Sequence, residues 1–150
     1  MTTNATSASV QRSNDLGWLT TEFVRKTPGT AHAVVVSTDG LQLAASDRLE
    51  VHSADQVAAI ASGLSSLTVG AANCFKAGRV IQTVIQMEGG YLFLASISDR
   101  ACLAVLAAPD ADLEQVTYEM TLLAEQVGPQ LTPQHRAQLS SEQQQSNSKS

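Results

Sequence analysis

The residue types that most often carry out catalysis or bind metal ions are few and scattered in this chain. Its three histidines, His32, His52 and His135, have no spacing that places them on one face, and the sequence contains no HExxH or Cys/His metal pattern. Cys74 and Cys102 lack a CxxC spacing, so we interpret them as small buried hydrophobic residues in a reducing cytosol. We therefore expect no catalytic residue, no metal and no cofactor.

The charged residues and the glycines do not suggest a reaction site either. Arg79 and Arg100 flank predicted turns; either could reach into the nucleotide site of a partner, but a solvated arginine is the simpler interpretation. No glycine-rich phosphate loop is present, because Gly63 and Gly70 fall inside a predicted helix. A solvated loop explains the acidic residues near the first predicted hairpin better than paired catalytic carboxylates do; these are Asp39, Asp47, Glu50 and Asp55. The pattern favours an assembly or adaptor protein over an enzyme.

The composition narrows the class of protein further. Charged residues make up only 15% of the chain, against about 25% in typical domains, which indicates that much surface is buried inside the fold or against a partner. A net charge of −5 argues against nucleic-acid binding. No apolar run approaches the roughly 18 residues of a membrane-spanning helix, and the N-terminus lacks the pattern of a secretory signal. We therefore expect a cytoplasmic protein without direct membrane insertion.

Periodicity and turn residues divide the chain into elements in the order α-β-β-α-β-β-β-α. Ser53 with Gln56, and Asp112 with Gln115, resemble capping boxes at the starts of the second and last helices. The last helix follows Asp112 and ends before the Gly-Pro pair at 128–129. The elements before it are predicted over Leu16–Lys26, Ala31–Ser37, Leu41–Ser46, Ser53–Phe75, Val80–Met87, Tyr91–Ser98 and Ala101–Ala108.

These elements predict an α+β sandwich with one five-stranded antiparallel sheet. Short turns make the first two strands a hairpin and the last three a meander, and joining them through strands one and five gives the order 2-1-5-4-3. The central strands are apolar on both faces, so we expect the long helix on one face and the first and last helices on the other. The domain is predicted over residues 15–131, between a disordered tail at 1–14 and a mostly disordered tail at 132–150.

The predicted sheet order leaves the third strand at an edge. This strand has no charge and no proline between Val80 and Met87, although exposed edges usually carry such residues to prevent pairing with other chains. We expect it to pair with the same strand of a second copy across a two-fold axis. The residues predicted for this contact are Val80, Gln82, Val84 and Gln86.

The long helix carries no charge from Gln56 to Phe75, so it has no ordinary solvent face. We predict that an apolar stripe packs on the sheet, namely Val57, Ile60, Leu64, Leu67, Ala71 and Cys74. A neighbouring face of small residues is predicted to pack against a copy of the helix. The helix residues predicted for the dimer interface are Ala59, Ser62, Gly63, Ser66, Gly70 and Asn73. Two alternatives stay open: a helix buried within one domain, and a helix broken at Gly70.

The chain resembles the Roadblock / dynein light chain superfamily in its bacterial, actinobacterial form. The residues that carry the resemblance are PGTAHAVVVSTDGLQLAAS (Pro28–Ser46), DQVAAIASGLSSLTVGAANCF (Asp55–Phe75) and QTVIQMEGGYLFLASISDRACLAVLAAPDADLEQVTYEM (Gln82–Met120). The resemblance covers roughly residues 15–131, and the element order of the family is the one derived above.

The resemblance implies a homodimer that regulates a small Ras-like GTPase, as a GTPase-activating or scaffolding partner. It also implies a possible link to a membrane histidine-kinase-like sensor. Such a partner needs no catalytic residue of its own, since it can hold the switch regions of the GTPase in an active geometry. Two alternatives stay open, a purely structural light-chain-like scaffold subunit and a small-molecule-sensing α/β domain.

Overall fold

The structure, a computed structural model, describes the backbone of residues 3–131 and the side chains of residues 15–131. The described elements follow the predicted order α-β-β-α-β-β-β-α. They are α1 (Thr3–Lys26), β1 (Thr30–Ser37), β2 (Gln42–Ala45), α2 (Val51–Cys74), β3 (Gln82–Met87), β4 (Gly90–Ser98), β5 (Ala101–Ala107) and α3 (Leu113–Val127), with a 3₁₀ turn over Gly128–Gln130.

The five strands form one antiparallel sheet in the order β2-β1-β5-β4-β3, which confirms the predicted topology. The join between hairpin and meander is the β1–β5 pair, which pairs Val34 with Ala104. Gly90 is the first residue of β4 and lies close to the backbone of β5. A Cβ at this position would be 2.5 Å from the carbonyl oxygen of Ala107. The sheet therefore has two edges, β2 and β3.

Each face of the sheet has its own apolar core, as the two-sided strand pattern predicts. Phe93 lies fully buried on one face, beneath Leu16 of α1 and Met120 of α3. Val36 and Leu94 lie on the other face beneath α2. Full burial of a side chain such as Phe93 contributes about 1.5–3 kcal/mol to the stability of the fold. Because each face of the sheet is buried by its own layer of helices, both layers stabilise the sheet.

The first helix is longer than predicted. It begins at Thr3 rather than at Leu16, so the structure differs from the predicted disordered tail over residues 3–14. No glycine or proline lies between Thr3 and Asn14 to end a helix there. The predicted disordered segment at 132–150 lies outside the described residues.

The starts of α2 and α3 differ in how well the sequence predicts them. Asp112 caps α3 as predicted, and its carboxylate accepts hydrogen bonds from the backbone N–H groups of Glu114 (3.0 Å) and Gln115 (3.2 Å). The capping box predicted at Ser53 is wrong. The helix α2 begins at Val51, and its N-cap residue, Glu50, makes no side-chain cap hydrogen bond.

The end of α2 is a Schellman turn. The N–H of Ala77 donates to the carbonyl of Ala72 at 2.9 Å, and the N–H of Lys76 donates to that of Asn73 at 3.3 Å. Lys76 itself has a positive φ of 52°. The helix is continuous across Gly70, so the alternative of a broken helix is wrong.

The length and composition of α2 would suffice to cross a membrane, which corrects the expectation that no segment of the chain does. The helix nevertheless packs on the sheet through Ala54, Ala58 and Ala61, which are fully buried. It is therefore one layer of the sandwich.

Candidate protein interaction site

The side of α2 that meets the sheet is made of small residues. Ala54, Ala58 and Ala61 are fully buried there, whereas Ile60 and Leu67 are 54% and 73% exposed. The predicted core stripe is therefore wrong for Ile60 and Leu67, and of its six residues Val57 and Leu64 pack against the core. Alanine leaves room for the helix to lie close to the sheet, and this orientation turns the large apolar side chains outward.

The residues predicted for a helix–helix interface lie mostly on the surface. Gly63 and Gly70 face open space, since a Cβ on either would meet no atom within 4 Å. Ser62 is half-buried, and its hydroxyl donates to the carbonyl oxygen of Thr38 at 2.8 Å. The other predicted members are exposed, namely Ala59, Ser66 and Asn73. The structure thus leaves this face accessible, and its role as an interface stays a prediction.

The edge strand β3 is open on the side away from β4 in the described part of the chain. Gln82, Val84 and Gln86 share the strand face that lies over the α1 and α3 side, and all three are exposed. Val80 is half-buried and precedes the strand, which starts two residues later than predicted. The apolar side chain of Ile81 is 71% exposed, so apolar surface continues from the strand toward the end of α2.

A cavity of about 400 Å³ lies between α2 and the strands that lead to this edge. It exists because α2 packs mainly on β1, β2 and β5, and leaves the α2 side of β3 and β4 less covered. Hydroxyl groups line much of it, from Ser37, Ser62, Ser65, Thr68, Ser96 and Ser98, with Arg79 and Asp99 beside them. The free small-residue face of α2, this cavity and the edge of β3 therefore form one continuous surface.

Cys102 lies in the wall of the cavity. Burial raises the pKa of its thiol, and a hydrogen bond from the Ser65 hydroxyl to its Sγ (3.7 Å) opposes part of that effect. Cys74 ends α2 and is exposed, which corrects the interpretation of both cysteines as buried. A thiol with a raised pKa is a poor nucleophile, so Cys102 is not a candidate nucleophile in this cavity.

The described residues contain no group of three or more histidine, cysteine or acidic side chains that could hold a metal ion. His52 lies in the first turn of α2, one residue before the predicted start of that helix, and His32 lies in β1, within the predicted strand. His135 lies outside the described residues. The acidic residues near the first hairpin are all exposed, at positions 39, 47, 50 and 55. The arrangement can bind a protein surface, and among the described residues we find no constellation suited to catalysis.

The sequence interpretation missed the outward-facing residues of α2. Ile60 and Leu67 were assigned to the core, and Phe75, which follows the helix, is also exposed. The signal that could have found them is the alanine stripe at 54, 58 and 61, which repeats at helical spacing just as the larger residues do.

Comparison with known proteins agrees with this geometry. The family model described as the Roadblock/LC7 domain matches residues 16–107. The crystal structure of a Roadblock/LC7 domain from Streptomyces avermitilis is 40% identical, with a TM-score of 0.74, and the match covers 77% of this chain and 96% of that one. No protein with curated annotation matches the sequence significantly.

Two structures of MglB share the fold at lower identity. The gliding protein MglB from Thermus thermophilus is 19% identical, with a TM-score of 0.68, over 90% of this chain and 93% of that one. An MglB structure described as having a tetrameric arrangement is also 19% identical, with a TM-score of 0.71, over 87% of this chain and 91% of that one. At this identity the likeness is one of fold. The family match and the Streptomyces structure go further: the chain belongs to the Roadblock/LC7 domain family.

Proposed function

We propose that the protein is a homodimeric adaptor that binds and regulates a small Ras-like GTPase. The observation that carries the proposal is the continuous surface formed by the outer side of α2 and the open edge of β3. Isolated apolar side chains on a surface are normal, but a contiguous apolar patch indicates a partner. The family is one of small adaptors and regulators, which agrees with a binding role.

The first partner in this proposal is a second copy. Two β3 edges would pair across a two-fold axis through Val80, Gln82, Val84 and Gln86, and give one sheet of ten strands. Two α2 helices would then lie side by side on the same face of that sheet. Their contact would be made by Ala59, Ser62, Gly63, Ser66, Gly70 and Asn73, whose small size supports a close approach of the two backbones.

The open cavity supports the same arrangement. It lies on the β3 side of α2, where the sheet is least covered within one copy. A second α2 in this position would cover the exposed part of β3 and β4. This contact would bury apolar area that one copy leaves in water, at about 25 cal/mol per Å².

The second partner in this proposal is the GTPase. Ile60 is exposed and lies about 160° round the helix from the buried Ala58, so it points away from the sheet. A pair of α2 helices would therefore present apolar side chains on their outer side, as a platform for the switch regions of a GTPase. An adaptor of this kind acts by holding those regions in one geometry, which requires no catalytic group of its own.

The dimer is tested by sedimentation equilibrium across micromolar concentrations. We expect a mass about twice the 15.8 kDa of one chain. A monomer throughout that range would contradict the dimer.

The GTPase partner is tested by pull-down with a Ras-like GTPase encoded beside this protein, followed by measurement of GTP turnover with and without it. Nucleotide-dependent binding with faster turnover would identify an activator, and binding without a change in turnover would identify a scaffold. Ile60→Ser should weaken binding while the protein stays dimeric, and Glu88→Gln, in the exposed β3–β4 turn, is the control. Absence of binding in both nucleotide states would contradict the proposal.

The proposal includes three further expectations. We place the protein in the cytoplasm, with the domain over residues 15–131, and we propose a membrane histidine-kinase-like sensor as an upstream component. Cell fractionation, and co-purification with such a sensor, would check the location and the upstream component. Limited proteolysis with mass spectrometry would check the domain bounds.

A small-molecule-sensing domain is a second candidate, favoured by the hydroxyl groups that line the cavity beside α2. The sequence predicts a lining of mainly alanine, leucine and valine, and the observed lining is more polar than that. A screen of polar metabolites by thermal shift would test it. A ligand that raises the melting temperature of the wild type, but not that of Ser65→Leu, would support sensing over scaffolding.

A further inference from the structure

A second groove lies on the opposite side of the sheet from α2, between α1 and α3. It has a volume of about 500 Å³, and its apolar lining includes Trp18, Phe23 and Leu122. Trp18 is 63% exposed there, and Leu122 is also exposed. A tryptophan held in water beside other apolar side chains is typical of the anchor residues of protein interfaces, so the groove is a candidate docking site.

The rim of the groove is acidic. Glu119 and Glu125 of α3 and Glu22 of α1 contribute three carboxylates, against the single ammonium group of Lys26. Glu22 already pairs with Arg25, at 2.6 Å between Oε2 and a guanidinium nitrogen, and this contact lowers the pKa of its carboxyl. Among the described residues, Glu119 and Glu125 form no ion pair, so their charges face the solvent at the groove.

We propose that this groove binds an amphipathic helix of a partner protein, with apolar side chains on one face and lysine or arginine beside them. The groove runs along two packed helices, and a third helix fits such a surface by placing its side chains between theirs. From Trp18 to Lys26 the groove spans about 12 Å, or roughly two helical turns. Basic residues on the partner would meet the carboxylates of Glu119 and Glu125.

The charge on the rim also argues against other occupants. A second copy brings a net charge of −5 toward an acidic rim, and the like charges would oppose contact. The surface proposed above for dimerisation and for the GTPase is formed by α2, on the other face of the sheet, and by the edge of β3, none of whose residues line the groove. Both surfaces can therefore be occupied at the same time, which would allow the protein to connect a GTPase to a third protein.

The position of Trp18 provides a direct assay, because it is the only tryptophan in the chain. The probe is a synthetic helical peptide with leucine along one face and lysine on the other positions, titrated into the full-length protein while Trp18 emission is recorded. A matched peptide with glutamate in place of lysine is the comparison. We expect a saturable blue shift with the lysine peptide and binding at least about tenfold weaker for the glutamate peptide.

Charge-reversal variants locate the binding. Glu125→Lys is expected to weaken the lysine peptide by about threefold to tenfold, whereas Glu88→Lys makes the same change of charge in the β3–β4 turn and is expected to bind as the wild type does. Anisotropy of a labelled peptide gives the same constants without relying on Trp18, and circular dichroism checks that each variant is folded.

Three results would overturn the proposal: no binding, equal binding of both peptides, or equal effects of Glu125→Lys and Glu88→Lys. A shift of Trp18 emission with protein concentration alone would assign the groove to a second copy and would also overturn it. None of these results depends on the GTPase, so the proposed function can stand or fail separately.

Discussion

Replacing Gly63 or Gly70 of α2 by leucine separates the stability of one copy from the stability of a dimer. Within one copy, no atom lies within 4 Å of a Cβ at either position, so a larger side chain meets no obstacle near its attachment point. Each glycine in a helix interior costs about 1 kcal/mol relative to alanine, and leucine is nearly as favourable as alanine. Each substitution should therefore stabilise the isolated domain by somewhat less than about 1 kcal/mol.

The expected effect on a dimer has the opposite sign. Inserting a side chain into a close-packed contact costs about 1–3 kcal/mol, and two-fold symmetry places every substitution at the interface twice. The total is about 2–6 kcal/mol, and one factor of ten in affinity corresponds to about 1.4 kcal/mol, so the dissociation constant should rise by about 30-fold to about 20,000-fold.

Sedimentation equilibrium measures the dissociation constant, and urea unfolding below that constant measures the stability of one copy. Gly17→Leu is the matched control, because Gly17 is a glycine of α1 with nothing within 4 Å of its Cβ, on the opposite side of the sheet. Both α2 variants should dissociate, whereas the control should not. Unchanged dimer affinity in both α2 variants would refute the close approach of the two helices.

Four further predictions concern Lys76, Gly90 and the two cysteines. Lys76→Gly should raise the free energy of unfolding by about 0.5–1 kcal/mol in urea, because Lys76 holds the left-handed position of a Schellman turn that glycine adopts without strain. Gly90→Ala should lower it by about 1–3 kcal/mol in the same assay, because the new methyl group would lie 2.5 Å from the carbonyl oxygen of Ala107. Iodoacetamide should label Cys74 in the folded protein, and Cys102 only after unfolding, as mass spectrometry can follow. Burial raises the pKa of Cys102, so the folded protein holds this proton more tightly than the unfolded chain does. The free energy of unfolding should therefore be unaffected by this thiol below the pKa of an unfolded cysteine and should fall as the pH rises above that pKa. Cys102→Ala should remove this pH dependence.

The sheet was predictable from the sequence for a physical reason. The Asp-Gly turn at 39–40 and the Gly-Gly pair at 89–90 join apolar runs that are too short for helices, so local geometry determines which strands pair. The last helix was equally clear, because Asp112 accepts the hydrogen bonds that begin it. In these elements the local signal and the tertiary contacts favour the same structure.

The groove between α1 and α3 could not be predicted in the same way. Trp18 and Leu122 lie far apart in sequence, and nothing local indicates that they line the same groove. The charges on its rim depend on which side chains already have partners, as Glu22 does with Arg25. Only the packing of the two helices reveals which carboxylates remain available to a ligand.

The orientation of α2 shows why periodicity alone fails for a helix without charges. Periodicity identifies residues that share a face, but a stripe of alanines can meet a sheet as well as a stripe of leucines can. Here the alanines at 54, 58 and 61 are buried, and a helix that lies close to its sheet on alanines turns its larger apolar residues outward. Ile60 and Leu67 thus belong to the surface, and each would contribute about 1.5–3 kcal/mol if a partner buried it fully. The absence of charge on α2, first interpreted as the sign of a twin helix, agrees with the two contacts proposed above: one with a second copy through the small residues, and one with another protein through Ile60.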